Sequence, residues 1–338
     1  MDPDLDKCIS TTHTKEKVLF CARAISLIDG ALWKARFGDW LALRFRSLDT
    51  RKNYLAGLGP FLEFIQGLGL SSWAEANLDV LEEYRSQLRS QRHSRTGQPL
   101  QVSTQVGHLM AVKTFFRFLT REGYVLANPA SALELPRPRK PLPLVLTERE
   151  VAKLLEVPDP ATLTGIRDRT LLELLYGTAL RNGELCALRL EQVELDRRQL
   201  RLEQTKGGKG RVLPLGQEAQ SWLELYLEKV RPAWLRNPAV QTVFLDRWGH
   251  GPMLRGTLST VVRKLGHRAG LGKAVTPHGL RHSCATHMLG RGADLRHLQQ
   301  LLGHEQLSST EHYTRVEVSD LRRVLSRCHP RESFPKQP

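Results

Sequence analysis

Six side chains that suit chemistry on a phosphate group lie in the second half of this 338-residue chain. They are two arginines, a lysine, two histidines and a tyrosine: Arg181, Lys206, His278, Arg281, His304 and Tyr313. A guanidinium group binds two phosphate oxygens at once, and its charge has most effect where negative charge grows during the reaction. A tyrosine hydroxyl is a nucleophile, and lysine and histidine transfer protons. Together these residue types indicate phosphoryl transfer.

Local signals place the first two of these residues next to regular structure. Arg181 precedes a short helix predicted over 182–188, and a buried helix ends shortly before it at Gly177. Alternating apolar residues from Leu200 and the run 211–215 predict the two strands of a β-hairpin, with glycines between them. This hairpin would present Lys206 at its turn.

The next two residues share one predicted helix. Thr276 is a helix cap, proline follows it at the first helical position, and Gly290 ends the helix. His278 and Arg281 are three positions apart, so their side chains lie on the same side of this helix.

The last two residues follow one further helix, which the cap Asp294 begins and Gly303 ends. Ser308 and Glu311 then form a capping box, which predicts that Tyr313 lies early on a short helix with its hydroxyl exposed. Taken singly, Arg181, Lys206 and Tyr313 each have an ordinary structural explanation, so none of the six residues decides the question alone. Their combination is what indicates a site.

The motifs around these residues resemble those of the tyrosine recombinase and phage-integrase family, in the manner of Xer-like or mobile-element integrases. Four stretches carry the resemblance in order: YGTALRNGEL, KGGKGRVLPLG, HGLRHSCATHML and LLGHEQLSSTEHYTRV. Tyr313 follows His304 by nine residues, as it does in the family pattern. Each motif alone is weak, but the ordered set is specific, and it covers the chain from Thr147 to Val316.

The resemblance implies a reaction on DNA. Tyr313 would attack the scissile phosphate and give a 3′-phosphotyrosine and a free 5′-hydroxyl. Lys206 would protonate the departing oxygen, and His278 would assist proton transfer at the nucleophile. The phosphotyrosine conserves bond energy, so the resemblance implies neither a metal nor a nucleotide cofactor.

The same resemblance assigns the residues that hold the phosphate. Arg181 and Arg281 would bind the nonbridging oxygens, His304 would donate a hydrogen bond to them, and Glu184 would support the site. Ala179 stands where the family commonly has glycine. That departure affects the subfamily rather than the chemistry.

The domain organisation follows from helical periodicity and from a proline-rich connector, ELPRPRKPLPLVL. We expect a mainly α protein whose catalytic domain is α+β with a small sheet or hairpin. The resemblance identifies the helical part as a core-binding, SAM-like, DNA-binding domain. The expected divisions are an N-terminal extension (1–30), the helical domain (31–134), the linker (135–146), the catalytic domain (147–316) and a C-terminal tail (317–338).

The net charge of +15 and the pI near 9.9 favour a polyanionic partner, which charge alone leaves open among DNA, RNA and acidic membranes. Candidate contacts to DNA are basic residues off the apolar stripes, in the linker and in the hairpin. A solvated basic surface explains them equally well. They are Arg51, Lys52, Lys113, Arg137, Arg139, Lys140, Lys209 and Arg211.

The cysteines and histidines favour neither disulfides nor metal. The five cysteines are odd in number and contain no CxxC pair, which favours a reducing cytoplasm, where the protein would associate with the nucleoid. His278 and His282 have zinc-like spacing, but no HExxH pattern is present and neighbouring arginines repel a cation. No apolar stretch approaches the length of a membrane span.

The leading hypothesis is site-specific recombination, with four protomers aligning two duplexes at paired inverted repeats and exchanging strands through a four-way junction. The amphipathic tail would fold back on its own domain or, as we favour, pack on a neighbouring protomer. A type IB topoisomerase-like enzyme or hairpin-end resolvase is the first alternative, and a noncatalytic DNA-binding protein is the second. The target sequence and the biological role, whether integration, excision, dimer resolution or transposition, stay open.

Overall fold

A computed structural model describes residues 29–45, 47–93, 96–138, 144–202, 210–303 and 318–333. Along the chain they form two compact units, Met1–Lys140 and Pro141–Pro338. The division falls inside the predicted linker. The structure is mostly helical with one small antiparallel sheet, as the sequence predicts.

The first unit is a helical bundle, as the periodicity predicts. Side-chain caps begin three of its helices, because Asp29, Ser47 and Asn77 accept hydrogen bonds from backbone N–H groups three residues ahead. Its elements are α1 (Gly30–Arg44), α2 (Leu48–Leu68), α3 (Leu78–Ser90), α4 (Val102–Arg121) and a 3₁₀ turn at Pro129–Ser131.

Aromatic side chains fill the core of this bundle. Trp33 lies edge-on to Trp73, and Phe61 lies edge-on to Tyr84, with ring centroids 5.4 and 5.1 Å apart. All four are buried, as are Phe115 and its neighbours on α4. The aromatics therefore pack the interior, where edge-to-face pairs are favourable, and do not present stacking surfaces to bases.

The second unit contains the remaining helices and the sheet. The predicted hairpin is present, and Leu200 pairs with Leu213 in antiparallel register. A short additional strand that the sequence did not predict extends the sheet in the order β1-β2-β3. The strands are β1 (Val193–Glu194), β2 (Gln199–Leu202) and β3 (Arg211–Pro214).

Ten α-helices of the second unit lie within the described ranges, together with a 3₁₀ turn at Leu190–Gln192 and a π-helical segment at Tyr226–Val230. The predicted helices at 182–187, 277–290 and 295–302 appear close to their expected bounds. The buried helix that ends at Gly177 begins at Leu163, eight residues before the predicted start at Leu171, and the helices at 217–225 and 255–268 were not predicted. The helices are α5 (Glu148–Leu155), α6 (Leu163–Gly177), α7 (Asn182–Ala187), α8 (Gln217–Leu225), α9 (Arg231–Trp234), α10 (Arg255–Arg268), α11 (Pro277–Gly290), α12 (Leu295–Leu302), α13 (Val318–Cys328) and α14 (Pro330–Ser333).

The start of this unit is attached directly to α11. Thr147 and Glu150 have the spacing that predicts a capping box, and this box opens α5. One residue earlier, the backbone N–H of Leu146 donates to the buried hydroxyl of Ser283 at 2.9 Å. Both oxygens of Glu148 also accept from Arg291, just beyond the other end of α11.

The described part of the C-terminal tail packs on its own domain. Leu321, Leu325 and Cys328 on α13 are buried, and the latter two join the main core. Arg331 then binds both oxygens of the buried Glu173 on α6, at 2.9 and 2.7 Å. In this single chain the tail therefore lies in cis, and its exchange with a neighbouring protomer stays a prediction.

A buried histidine fixes the same segment and makes its stability depend on pH. His329 is 1% exposed and contacts the carbonyl oxygen of Tyr176 through Nε2. Burial lowers the pKa of His329 from 6.5 to about 4, so the native state keeps this ring neutral. Once the pH falls below 6.5, the His329 ring is therefore protonated in the unfolded chain while it stays neutral in the native chain.

We expect this histidine to cost the native state stability as the pH falls from 6.5 towards 4. At about pH 7.5 we expect His329→Gln to have a lower free energy of unfolding than wild type. Because the variant lacks this titration, the difference between the two proteins should be smaller by about 2–3 kcal/mol at about pH 4.5. Urea unfolding across this range measures it, with the exposed His250→Gln as control. A gap between wild type and His329→Gln that stays constant with pH would contradict the assignment.

Candidate active site

Arg181 and Glu184 form a rigid pair at the start of α7. Arg181 is the residue before the helix, and both its backbone N–H and its Nη1 donate to the Glu184 carboxylate, at 2.9 and 2.8 Å. Glu184 is 6% exposed, whereas the side chain of Arg181 is 43% exposed. The carboxylate therefore anchors the arginine from the protein side and leaves part of its guanidinium facing solvent.

Arg211 binds the same carboxylate from β3. Its Nη1 and Nη2 donate to the two oxygens of Glu184, at 2.9 and 2.8 Å, in the fork arrangement that suits a carboxylate. Burial raises the pKa of Glu184, but the hydrogen bonds from Arg211 and Arg181 outweigh it and lower the pKa to about 2. Glu184 is thus ionised at any pH at which the protein would act.

Arg281 lies beside this pair on α11. It is 6% exposed, its Nη1 donates to the carbonyl oxygen of Ala179 at 2.6 Å, and its Nη2 donates to that of Leu302. Burial and the nearby charge of Arg181 lower the pKa of Arg281 to about 10, which still leaves it protonated near neutral pH.

Both arginines meet at the C-terminal end of α12. Arg281 binds the carbonyl of Leu302, and Arg181 Nη2 binds that of Gly303 at 2.7 Å. The last carbonyls of a helix lack intrahelical partners and carry partial negative charge, so cations stabilise them. Gly303 ends the helix with a φ of +61°, which glycine adopts without strain.

His278 lies one turn before Arg281 on the same helix. The cap predicted for this helix is present, because Thr276 Oγ1 accepts from the N–H of Gly279 at 3.0 Å. The side chain of His278 is exposed. The structure thus brings together Arg181, Glu184 and Arg281 of the predicted site, with His278 on the helix that carries Arg281. Lys206, His304, Tyr313 and the predicted capping box at 308–311 lie outside the described residues.

The departure at Ala179 has a structural consequence. Ala179 has a φ of +51°, in the left-handed region that costs an alanine about 1–2 kcal/mol, and its carbonyl is the one that Arg281 binds. The residue that would suit this backbone is the glycine that the family commonly has.

Ala179→Gly is therefore expected to change the free energy of unfolding by less than about 0.5 kcal/mol, because relief of strain offsets the loss of a buried methyl group. Ala219→Gly, at a buried helical position, should cost about 1–2 kcal/mol. Urea unfolding of the two variants compares them. Equal losses would show that the backbone at 179 is not strained.

The candidate DNA contacts have mixed environments. Lys52 and Arg137 are exposed. Lys113 donates to the carbonyls of Ser131 and Leu133, which ties α4 to the segment after the 3₁₀ turn. Arg51 donates to the carbonyl of Phe45, and Arg211 is bound to Glu184 as described. Lys209, Arg139 and Lys140 lie outside the described residues.

Other kinds of site find no support in the described part of the chain. It contains no group of three or more His, Cys, Asp or Glu side chains arranged to hold a metal ion. Cys186, Cys284 and Cys328 are free and buried, and burial raises the pKa of the Cys284 thiol to about 12. Among the helices that the structure describes, none combines the length and apolar composition needed to cross a bilayer.

Arg211 belongs to the cluster around Glu184, although the sequence predicted it only as a candidate DNA contact. Its pairing with Glu184 spans 27 positions, so no local spacing rule reveals it. The available signal was a weak one: a basic residue at the first position of a predicted strand, directly after a glycine-rich turn.

Comparison with known proteins places these residues in a family. Residues 144–319 match the phage integrase family, and residues 36–123 match the N-terminal SAM-like domain of phage integrases. The chain belongs to the phage integrase family. The match spans the helices and strands that position Arg181, Arg211 and Arg281.

Individual relatives agree with this assignment. The chain is 39% identical over 285 residues to tyrosine recombinase XerC 2 of Ralstonia nicotianae, covering 84% of this chain and 81% of the relative. It is 41% identical over 223 residues to tyrosine recombinase XerD of Staphylococcus aureus strain Mu50, covering 66% and 75%. The two relatives have different names, so these identities do not place the chain with either.

The fold also matches solved structures. A lambda integrase tetramer bound to a Holliday junction superposes with a TM-score of 0.61 at 20% identity, covering 88% of this chain and 81% of that chain. At this identity the likeness shows the fold alone. It confirms a mainly helical protein with a small antiparallel sheet in the arrangement of an integrase.

Proposed function

We propose that this phage integrase family member is a site-specific DNA recombinase that cuts and rejoins DNA through a 3′-phosphotyrosine. The observation that carries the proposal is the convergence of Arg181 and Arg281 on one end of α12, with Glu184 behind them. Two guanidinium groups held by the protein at one place are suited to a single phosphodiester.

The charges of the cluster suit the transition state better than the ground state. Three arginines and one glutamate, Arg181, Arg211, Arg281 and Glu184, leave two positive charges in a partly buried site. A phosphodiester carries one negative charge, and more develops on its oxygens as the nucleophile attacks. Charge that is fixed in advance therefore stabilises the transition state preferentially.

The remaining roles follow the family motifs. Tyr313 is the nucleophile, Lys206 protonates the departing 5′-oxygen, and His278 assists proton transfer at the tyrosine. His304 donates to the phosphate, and Glu184 holds Arg181 in place. The exposed position of His278, one turn from Arg281, supports its access to a bound backbone. This chemistry uses no metal or nucleotide.

The partners are double-stranded DNA carrying paired inverted repeats and further copies of the chain, four in the synaptic complex. The net charge of +15 supports a DNA partner, and the solved lambda integrase is a tetramer on a Holliday junction. The tail packs in cis in the single chain, so assembly by tail exchange would require the contacts of Arg331 and His329 to open. We therefore expect the protein to act on DNA in the cytoplasm, in association with the nucleoid.

The proposal is tested by trapping the covalent intermediate. The binding site is identified by selection from random duplexes and by searching the neighbouring DNA for inverted repeats around a short spacer. A duplex nicked near the cut releases a short fragment after attack and prevents rejoining. Denaturing electrophoresis should show the 38.3 kDa chain shifted by the attached strand, and mass spectrometry should locate the adduct on Tyr313.

Two other outcomes would separate the alternatives. Vigorous relaxation of supercoiled plasmid that lacks the site would favour a topoisomerase-like enzyme that acts without synapsis of two duplexes. Tight, selective binding with no adduct on the nicked cognate duplex would favour a noncatalytic DNA-binding protein.

A further inference from the structure

Arg211 lies at a junction of three elements that carry or adjoin the active-site motifs. It is the first residue of β3, and the described part of the hairpin resumes just before it at Gly210. Its guanidinium binds Glu184 on α7 in bidentate fashion. A Cβ added to Gly303, at the end of α12, would lie only 2.9 Å from Arg211 Nη1, so this guanidinium also packs closely against the backbone there.

Glu184 is saturated by this arrangement. Its carboxylate accepts four N–H bonds, two from Arg211 and two from Arg181. Arg211 fixes the plane of the carboxylate, because two parallel bonds to both oxygens leave it little freedom to rotate. The orientation of the carboxylate in turn determines where Arg181 Nη1 is held.

Arg211 itself has little surface to offer a DNA backbone. Its side chain is 14% exposed, against 43% for Arg181, and both of its terminal nitrogens already donate to Glu184. Its Nε is buried and has no acceptor among the described residues. Arg281 is buried too, but its terminal nitrogens donate to neutral carbonyls, whereas those of Arg211 are both paired with a carboxylate that neutralises its charge.

We infer that Arg211 is a positioning residue that holds Arg181, through Glu184, in the orientation that binds the phosphate, and that it is not a DNA contact. Its effect on cleavage rests on the proposed function, whereas its effect on Arg181 does not. A lysine at 211 cannot replace it, because an ammonium group makes no planar fork to both carboxylate oxygens.

The first test uses the free protein and needs no DNA. The NMR signal of the Arg181 side-chain Nε–H group, assigned by its loss in Arg181→Lys, is compared among variants. Arg211→Met and Arg211→Lys should both move it. Arg201→Met should not, since Arg201 forms a comparable pair with Glu194 on the same sheet, in which the Arg201 side chain is 58% exposed.

The second test separates positioning from DNA binding. On the nicked duplex at saturating protein, Arg211→Met and Arg211→Lys should lower the single-turnover cleavage rate by about 10- to 100-fold. The dissociation constant and its dependence on salt should match those of wild type. A phosphate contact would instead weaken binding in Arg211→Met, reduce the salt slope by about 1, and be rescued by lysine.

The pH dependence adds a readout that a general loss of stability would not produce. Without Arg211 the Glu184 carboxylate keeps two of its four donors, so its pKa should rise towards the ordinary value. Cleavage by Arg211→Met should therefore fall as the pH drops from about 6 to about 4, relative to wild type at each pH. In Glu184→Gln, adding Arg211→Met should cause no further loss, as expected for residues that act as one unit.

Each outcome decides between the inference and its alternative. An unmoved Arg181 signal, or a rate restored by lysine, would overturn the inference. If the wild-type chain formed no adduct while Arg211→Met still moved the Arg181 signal, the proposed function would fail and the positioning of Arg181 would stand. If Arg211→Met proved too unstable to measure, Arg211→Lys, which keeps the charge, would carry both comparisons.

Discussion

Tyr313→Phe is expected to abolish the covalent adduct on the nicked duplex while leaving DNA affinity within about twofold of wild type. The variant loses one oxygen atom, which is the atom that would join phosphorus, and it keeps the ring and the charge of the site. Phenylalanine carries no nucleophilic atom, so the covalent intermediate cannot form at this position. Electrophoresis under denaturing conditions measures the adduct, and a binding titration measures affinity.

A matched control is Tyr226→Phe, which removes the same atom elsewhere in the unit. Tyr226 is fully buried, and its hydroxyl donates to the carbonyl of Val243 at 3.2 Å, so its loss costs some stability and no chemistry. Adduct formation by this control should equal that of wild type below its unfolding temperature. An adduct of normal yield on Tyr313→Phe would refute the assignment of the nucleophile.

Arg281→Ala should have the second-largest effect, a loss of about 10² to 10³ in cleavage rate. Because Arg281 is buried, its replacement should also affect stability. Its removal leaves the carbonyls of Ala179 and Leu302 without their donor, so unfolding should also become easier by about 2–4 kcal/mol. Cleavage must therefore be measured well below the unfolding transition of the variant.

The chain provides a control that separates these two effects. Arg231 is 8% exposed and likewise donates to two backbone carbonyls, those of Val240 and Thr242, but it is not part of the arginine cluster. Arg231→Ala should lose comparable stability with an unchanged cleavage rate. If the two variants lost activity in parallel with stability, Arg281 would be structural and not a phosphate ligand.

Local signals in the sequence predicted the elements that carry the site because those signals act over three or four residues. The Thr147–Glu150 capping box, the Thr276 cap and the terminating Gly303 all appear as expected. Helical and alternating periodicities placed the bundle and the hairpin in the same way. The strained backbone at Ala179 is consistent with the family pattern, which commonly has glycine at this position.

Contacts between distant segments could not be predicted in this way. The Arg211–Glu184 pair spans 27 positions and the Arg331–Glu173 pair spans 158, and many arginines and glutamates satisfy the same charge rule. The packing of the C-terminal tail could not be predicted for a similar reason. The pattern of an amphipathic helix shows that its apolar face will be buried, but it does not show whether its own domain or a neighbouring protomer covers that face. The helices at 217–225 and 255–268 begin without a side-chain cap, so no local signal predicts where they start.

The attachment of Leu146 and Glu148 to α11 has a mechanical consequence. From Leu146 onwards the chain is hydrogen-bonded to the middle of this helix at Ser283 and, through Glu148, to Arg291 just beyond its C-terminal end. Tension in the linker would therefore act on α11, the helix that carries His278 and Arg281. Force that reaches α11 in this way would displace the two residues for which we propose roles at the phosphate.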